Sequence, residues 1–137
     1  MPAYILLSVV KRVLFIVTHI DLHPDAEIGP GLLIPHGSEI RISELTRIGA
    51  DCALNHLCTI GVGSTTQGVV SIGDHVYISP QSCIIGPVII GDGATIAPNS
   101  LIITDVPAGH TAIGVPARVL PASVRSFGYQ LYSHTDW

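Results

Sequence analysis

Residues 71–103 read SIGDHVYISPQSCIIGPVIIGDGATIAPNSLII. Isoleucine stands at Ile72, Ile78, Ile84, Ile90, Ile96 and Ile102, a constant step of six. An amphipathic helix repeats its apolar positions about every 3.6 residues and a half-buried strand every second residue, so a strict six fits neither. It fits very short strands joined by tight turns. Toward the start of the chain the same step links Ile48, Leu54 and Ile60, and before them Leu22, Ile28, Ile34 and Ile40. Two interruptions break the series: two extra residues between Ile40 and Ile48, and twelve residues between Ile60 and Ile72.

Two further columns hold the register. Glycine often follows the aliphatic residue, at Gly29, Gly49, Gly61, Gly73 and Gly91. Four positions after it the residue is small or aliphatic: Ala26, Leu32, Ser38, Cys52, Cys58, Val76, Ser82, Val88, Ala94 and Ser100. Each short strand thus turns one large and one small side chain inward. Three such units close a triangular coil, and coils stack into a parallel β-helix with strands about 4.8 Å apart. The predicted faces are Leu22, Ile40, Ile60, Ile84 and Ile102; Ile28, Ile48, Ile72 and Ile90; and Ile34, Leu54, Ile78 and Ile96. This sorting requires residues 61–71, rich in glycine and small polar residues, to leave the coil as an extruded loop. The expected organisation is all-β: a helical segment over 1–20, a β-helix over 21–120, and a tail over 121–137 outside the repeat.

Composition narrows the partners. The chain has 137 residues, 47% hydrophobic and only 12% charged, which suits one folded domain with some apolar surface buried between subunits. A net charge of −4 and no basic run argue against nucleic acid. Cys52, Cys58 and Cys83 are an odd number without CxxC spacing, so neither a disulfide scaffold nor a zinc site is expected, and a reducing cytoplasm is the simple reading. In the first twenty residues, Lys11 and Arg12 interrupt the apolar run at its centre, which argues against a transmembrane span. A helix packed on the body or on a neighbouring subunit is expected there, with a peripheral membrane contact as the alternative.

The repeat also gathers chemistry. Two residues after the aliphatic of the third face come His36, His56, Pro80 and Pro98, so the histidines are expected one coil apart on an outward edge. Histidine can take a proton from a hydroxyl near neutral pH. Asp21 opens the first coil, and a carboxylate held against an imidazole fixes its tautomer and stabilises the imidazolium. Whether Asp21 reaches His36 or serves as a cap or turn residue stays open at this level.

The segments IDLHPDAEIGPGLLIPHG, RIGADCALNHLCTIG and SIGDHVYISPQSCIIGPVIIGDGATIAPNSLIITDVPAGHTAIGVPARVL, within residues 20–120, resemble the hexapeptide-repeat acyltransferases, most closely the serine O-acetyltransferase branch. The resemblance implies a left-handed parallel β-helix, a homotrimer with sites between subunits, acetyl-CoA as donor, no metal, and a His–Asp general base. By position that base is His36 with Asp21, fifteen residues earlier, and His56 joins the catalytic set. The same match implies a CoA groove along Gly61, Gly63, Ser79, Pro80, Ala97 and Pro98, with Arg118 meeting a phosphate.

Three departures bear on the acceptor. The large N-terminal helical domain of serine acetyltransferases is represented here by some twenty residues. Pro35 stands where the family has an acidic residue before the histidine. TTQGVVS replaces the His-Pro pair that ends the extruded loop, and His56 stands where many relatives have glutamine. A sugar or another small-molecule hydroxyl is therefore expected ahead of serine. The alternatives are a non-catalytic β-helix scaffold and a γ-carbonic-anhydrase-like zinc enzyme. The latter needs three histidine ligands, and its usual pair of histidines five residues apart is missing.

Overall fold

The computed structural model describes residues 3–61 and 68–121. Helix α1 (Ala3–Thr18) leads into fourteen short strands: β1 (Ile20–Leu22), β2 (Glu27–Ile28), β3 (Ile40–Ile42), β4 (Thr46–Ile48), β5 (Ala53–Leu54), β6 (Thr59–Gly61), β7 (Val70–Ile72), β8 (Tyr77–Ile78), β9 (Cys83–Ile85), β10 (Ile89–Ile90), β11 (Thr95–Ile96), β12 (Leu101–Ile102), β13 (Thr111–Gly114) and β14 (Ala117–Leu120). They form three sheets, in the orders β1-β3-β6-β9-β12, β10-β7-β4-β2 and β14-β13-β11-β8-β5. Consecutive strands belong to different sheets and neighbours within a sheet run parallel, which is a parallel β-helix. The exception is the β13–β14 hairpin, antiparallel from Thr111↔Leu120 to Gly114↔Ala117, which ends the solenoid.

The interior follows the period of six. Ile60 pairs with Ile84 and Ile84 with Ile102. Ile28, Ile48, Ile72 and Ile90 align on the second sheet, and Leu54, Ile78 and Ile96 on the third. From Ile48 to Ile102 these aliphatics are 5% exposed or less. The small column is buried with them, including Cys52, Cys58, Val76, Ser82, Val88, Ala94 and Ser100.

One register expectation is corrected. Leu22 and Ile60 both pair with Ile42, not Ile40. The two extra residues therefore lie between Ile34 and Ile42, in the corner carrying His36, and not between Ile40 and Ile48. Ile40 pairs with Ile20 and takes the small-residue position expected of Ser38, which is exposed, while buried Thr46, paired with Val70, fills the small position before Ile48. A strand alternates its faces with period two, so a two-residue insertion leaves both Ile40 and Ile42 facing inward.

The second interruption is narrower than expected. Gly61 closes β6, while Val70 and Ser71 open β7 and pair with Thr46 and Arg47. The connection is thus 62–69, of which 62–67, including Gly63, lie outside the described residues. The tail beyond residue 121 lies outside them as well.

Corner geometry explains the glycine column. A Cβ built on Gly29 would stand 2.6 Å from the Gly49 carbonyl carbon, and one on Gly49 equally close to that of Gly73. Separations under 3.0 Å are not tolerated, so these positions have no room for a side chain. Other corners use left-handed backbone instead: Glu39, Leu57, Gln81 and Asn99 have φ of 52°, 59°, 61° and 56°.

Candidate active site

The corner after the third sheet carries the histidines. Backbone bonds run from Leu57 N–H to Ser38 O, Gln81 N–H to His56 O and Asn99 N–H to Pro80 O, which stacks Ser38, His56, Pro80 and Pro98 in one row. His36 was expected in that row. The longer corner puts Ser38 there and leaves His36 on the exposed part of the turn. The two imidazoles still meet: their centroids are 6.2 Å apart and their planes cross at 79°, edge to face.

Asn55 anchors the His56 corner. Its side chain is 3% exposed, and Nδ2 donates to the Ile78 carbonyl at 3.0 Å. His56 itself is half-buried. Among the described residues, its Nδ1 is the one buried side-chain nitrogen or oxygen with no hydrogen-bond partner. An unmet buried group costs about 1–3 kcal/mol, so few are kept in a folded protein.

Asp21 lies on the outward row of the first sheet, directly beside Arg41, whose Nε is 3.9 Å from its carboxylate. Among the described residues no hydrogen bond joins Asp21 to His36. The two segments approach nonetheless: a Cβ on Gly37 would lie 3.1 Å from Cδ1 of Ile20, the residue before Asp21. Between α1 and the first sheet, clefts of about 370 Å³ and about 360 Å³ are lined by Asp21 with Lys11 and Arg12 and with Glu39, Arg41 and Leu57. Neither histidine lines these clefts.

The other expected contacts separate by exposure. Pro80 and Pro98 continue the His56 row toward solvent, Pro98 fully and Pro80 in part. Ser79 and Ala97 are 2% and 0% exposed, with their backbone groups taken up by neighbouring coils. Gly61 sits in β6 beside Ser43. Arg118 is exposed on β14 opposite Ile113.

Arg41 was not anticipated, although its place one coil after Asp21 is readable from the repeat once the insertion is located. Burial pushes the Cys52 and Cys58 thiols up from their ordinary 9.0, and Cys52 is further raised by the nearby Asp74. Such thiols are poor nucleophiles. No group of three or more His, Cys, Asp or Glu capable of holding a metal occurs among the described residues.

A triangular solenoid built on a six-residue period is a hexapeptide-repeat β-helix. A profile of the family described as "Bacterial transferase hexapeptide (six repeats)" matches residues 70–104. The chain is 42% identical over 103 residues to serine acetyltransferase 1, chloroplastic, of Arabidopsis thaliana, covering 74% of this chain and 33% of the plant protein. It is 31% identical over 119 residues to serine acetyltransferase of Helicobacter pylori strain J99, covering 85% of this chain and 70% of that protein. A solved serine acetyltransferase in complex with CoA superposes with a TM-score of 0.77 at 30% identity, covering 84% of this chain and 48% of that one. The chain belongs to the serine acetyltransferase family. It spans a third of the plant relative and about half of the solved structure.

Proposed function

We propose that this protein is an acetyl-CoA-dependent O-acetyltransferase that moves an acetyl group to the hydroxyl of a small molecule. The observation that carries the reading is the contact of exposed His36 with half-buried His56, whose own Nδ1 is buried and unpartnered. A solved family member of the same fold holds CoA. His36 is the general base. It removes the acceptor's proton as the oxygen attacks the thioester carbonyl carbon. The tetrahedral oxyanion collapses, the carbon–sulfur bond breaks, and the imidazolium returns its proton to the CoA thiolate. No acyl-enzyme forms, in keeping with raised rather than lowered thiol pKa values.

Asp21 is the carboxylate assigned to orient His36. The approach of Ile20 to Gly37 supports that role, and its ion pair with Arg41 is the competing arrangement. The pantetheine arm follows the row of Pro80 and Pro98, with Arg118 available to a phosphate. The clefts around Asp21 include neither His36 nor His56, which favours sites completed by a second subunit, as a homotrimer provides. Three free cysteines suit a cytoplasmic setting.

The relatives' activity favours serine as acceptor. Pro35, in place of an acidic side chain beside the base, favours a sugar hydroxyl. The test is thiol release from acetyl-CoA with a panel containing serine and sugars, comparing wild type with His36→Ala and Asp21→Asn. Loss of a general base lowers turnover by about 10²–10⁴-fold. Unchanged turnover in His36→Ala would sink the assignment.

A further inference from the structure

The third sheet differs from the other two on its outer side. Its outward row is Leu33, Ala53, Tyr77, Thr95 and Thr111, each beside the next in neighbouring coils. Val76 and Ile78 flank Tyr77 in the core at 0% and 1% exposure, so Tyr77 points outward by the two-residue alternation of a strand. It is nonetheless only 7% exposed, and Ala53, Thr95 and Thr111 are 7%, 1% and 3%. The outward threonine of the first sheet, Thr59, is exposed, and Ile89 on the outer side of the second is 62% exposed. Residue types follow the same division. The outer rows of the first two sheets hold Asp21 with Arg41 and Glu27 with Arg47, whereas the third row holds no charge. An outward tyrosine and two threonines lose that much accessible surface only beneath another segment of chain.

The cover comes from within one chain, because the burial is that of a single copy. Among the described elements, α1 packs on β1 of the first sheet, and none crosses the third row. The connection 62–67 joins β6 of the first sheet to β7 of the second, so it leaves from the corner opposite the third sheet. What is left is the segment after Pro121. Its origin is in place, since Leu120 pairs with Thr111 at the end of the covered row. From Thr111 to Ala53 is three strand spacings, about 14 Å, and residues 122–137 reach about 50 Å when extended. Composition fits as well. Phe127, Tyr129, Tyr132 and Trp137 are four of the chain's seven aromatic residues, and Tyr77 is the one Phe, Tyr or Trp between residues 21 and 120. Aromatic side chains bury large areas and pair favourably with one another.

We propose that the outer face of the third sheet is a docking surface for the chain's own C-terminal segment, residues 122–137. The segment brings its aromatic side chains against Tyr77 and the uncharged row around it, closing a face that would otherwise be open to other chains. The proposal does not depend on the acetyl-transfer reading, because none of these residues is assigned to the reaction.

The test is nitration of the purified full chain with tetranitromethane, followed at each tyrosine by mass spectrometry. Tyr4 is 69% exposed and serves as the internal reference, so Tyr77 should react roughly tenfold more slowly, in proportion to exposure. Phe127→Asp/Tyr129→Asp should bring the Tyr77 rate up toward that of Tyr4. Thr95→Lys, which alters only the outer row, should do the same. Circular dichroism and the unfolding midpoint check that both variants stay folded. In the wild type, docking should slow amide exchange within 122–137, a readout that needs no variant. The proposal fails if Tyr77 reacts as fast as Tyr4 in the wild type, if either folded variant leaves it protected, or if the amides of 122–137 exchange at the rate of an unstructured peptide. Protection of Tyr77 that disappears on dilution also overturns it, since a second copy would then be the cover.

Discussion

Substituting Gly49 by alanine tests the packing logic of the whole solenoid. A Cβ there would stand 2.6 Å from both the carbonyl carbon and oxygen of Gly73, and would also meet Oδ1 of Asp74. That carboxylate accepts a hydrogen bond from Ala50 N–H at 2.8 Å, tying adjacent coils together. Gly73 is backbone in the next coil and cannot swing aside. Forcing a methyl group into such a contact costs about 1–3 kcal/mol, and losing an exposed charge-assisted hydrogen bond adds about 1 kcal/mol. Alanine returns only about 0.4–1 kcal/mol by restricting the unfolded chain. The net expectation is a loss of about 2–3 kcal/mol, or a midpoint roughly 6–12 °C lower for a domain of this size. Gly86→Ala is the matched control: nothing lies within 4 Å of its Cβ, and only its φ of +89° opposes the change. It should lose about 1 kcal/mol. Thermal and urea unfolding give the two losses, and amide exchange at Ala50 reports the broken tie directly. If Gly49→Ala is no worse than Gly86→Ala, or the Ala50 amide stays protected, the close-approach argument is wrong.

Further outcomes follow from the same coordinates. Burial raises the Cys52 and Cys58 thiols above 9.0, so the folded state holds protons that the unfolded chain releases. Stability is then complete below pH 9 and falls as pH rises through the folded-state values. Denaturation midpoints across alkaline pH should show that fall, and Cys52→Ala/Cys58→Ala should flatten it. Leu57 has a φ of 59° and is 38% exposed, so Leu57→Asn should stabilise by about 0.5–1 kcal/mol, read as a higher unfolding midpoint. Pro35→Asp supplies an acidic neighbour to His36. If Pro35 sets the acceptor, serine's kcat/KM relative to a sugar's should rise roughly tenfold, the scale of one charge-assisted contact.

Legibility in the sequence followed the strength of the repeat. From Ile48 to Ile102 the large column was readable, and the small column with it except Val70, which was assigned to the loop yet is 0% exposed; elsewhere a triangular coil forces each inward position to recur. The first coils were less readable. Ile40 satisfied the spacing rule and is 1% exposed, yet it occupies the neighbouring column, because Ile42 sits two residues on and serves the period equally well. Spacing alone cannot choose between two inward residues of one strand. Side-chain partnerships were harder still. The Asp21–Arg41 pair depends on where the insertion falls, and the left-handed φ at Leu57 has no signature in its own residue type. The histidine corner was found because both residues follow a third-face aliphatic by two, although only His56 keeps that row.

That last point bears on how the site arises. Ile34 to Ile42 spans eight residues where each later circuit uses six to reach the corresponding strand. A shift of two costs the core nothing, since the strand alternates with period two and both Ile40 and Ile42 are 1% exposed. The surplus is absorbed at one corner, between Pro35 and Glu39. Ser38 fills the stacked row above His56, and His36 is displaced sideways until its ring meets His56 at 6.2 Å. With six-residue spacing His36 would stand directly one coil from His56, about 4.8 Å along the stack. The insertion turns that stacked arrangement into an edge-to-face pair and leaves His36 exposed. The change that spoils the simplest register reading is thus the same change that takes the His36 imidazole out of the stacked row and leaves it open to solvent.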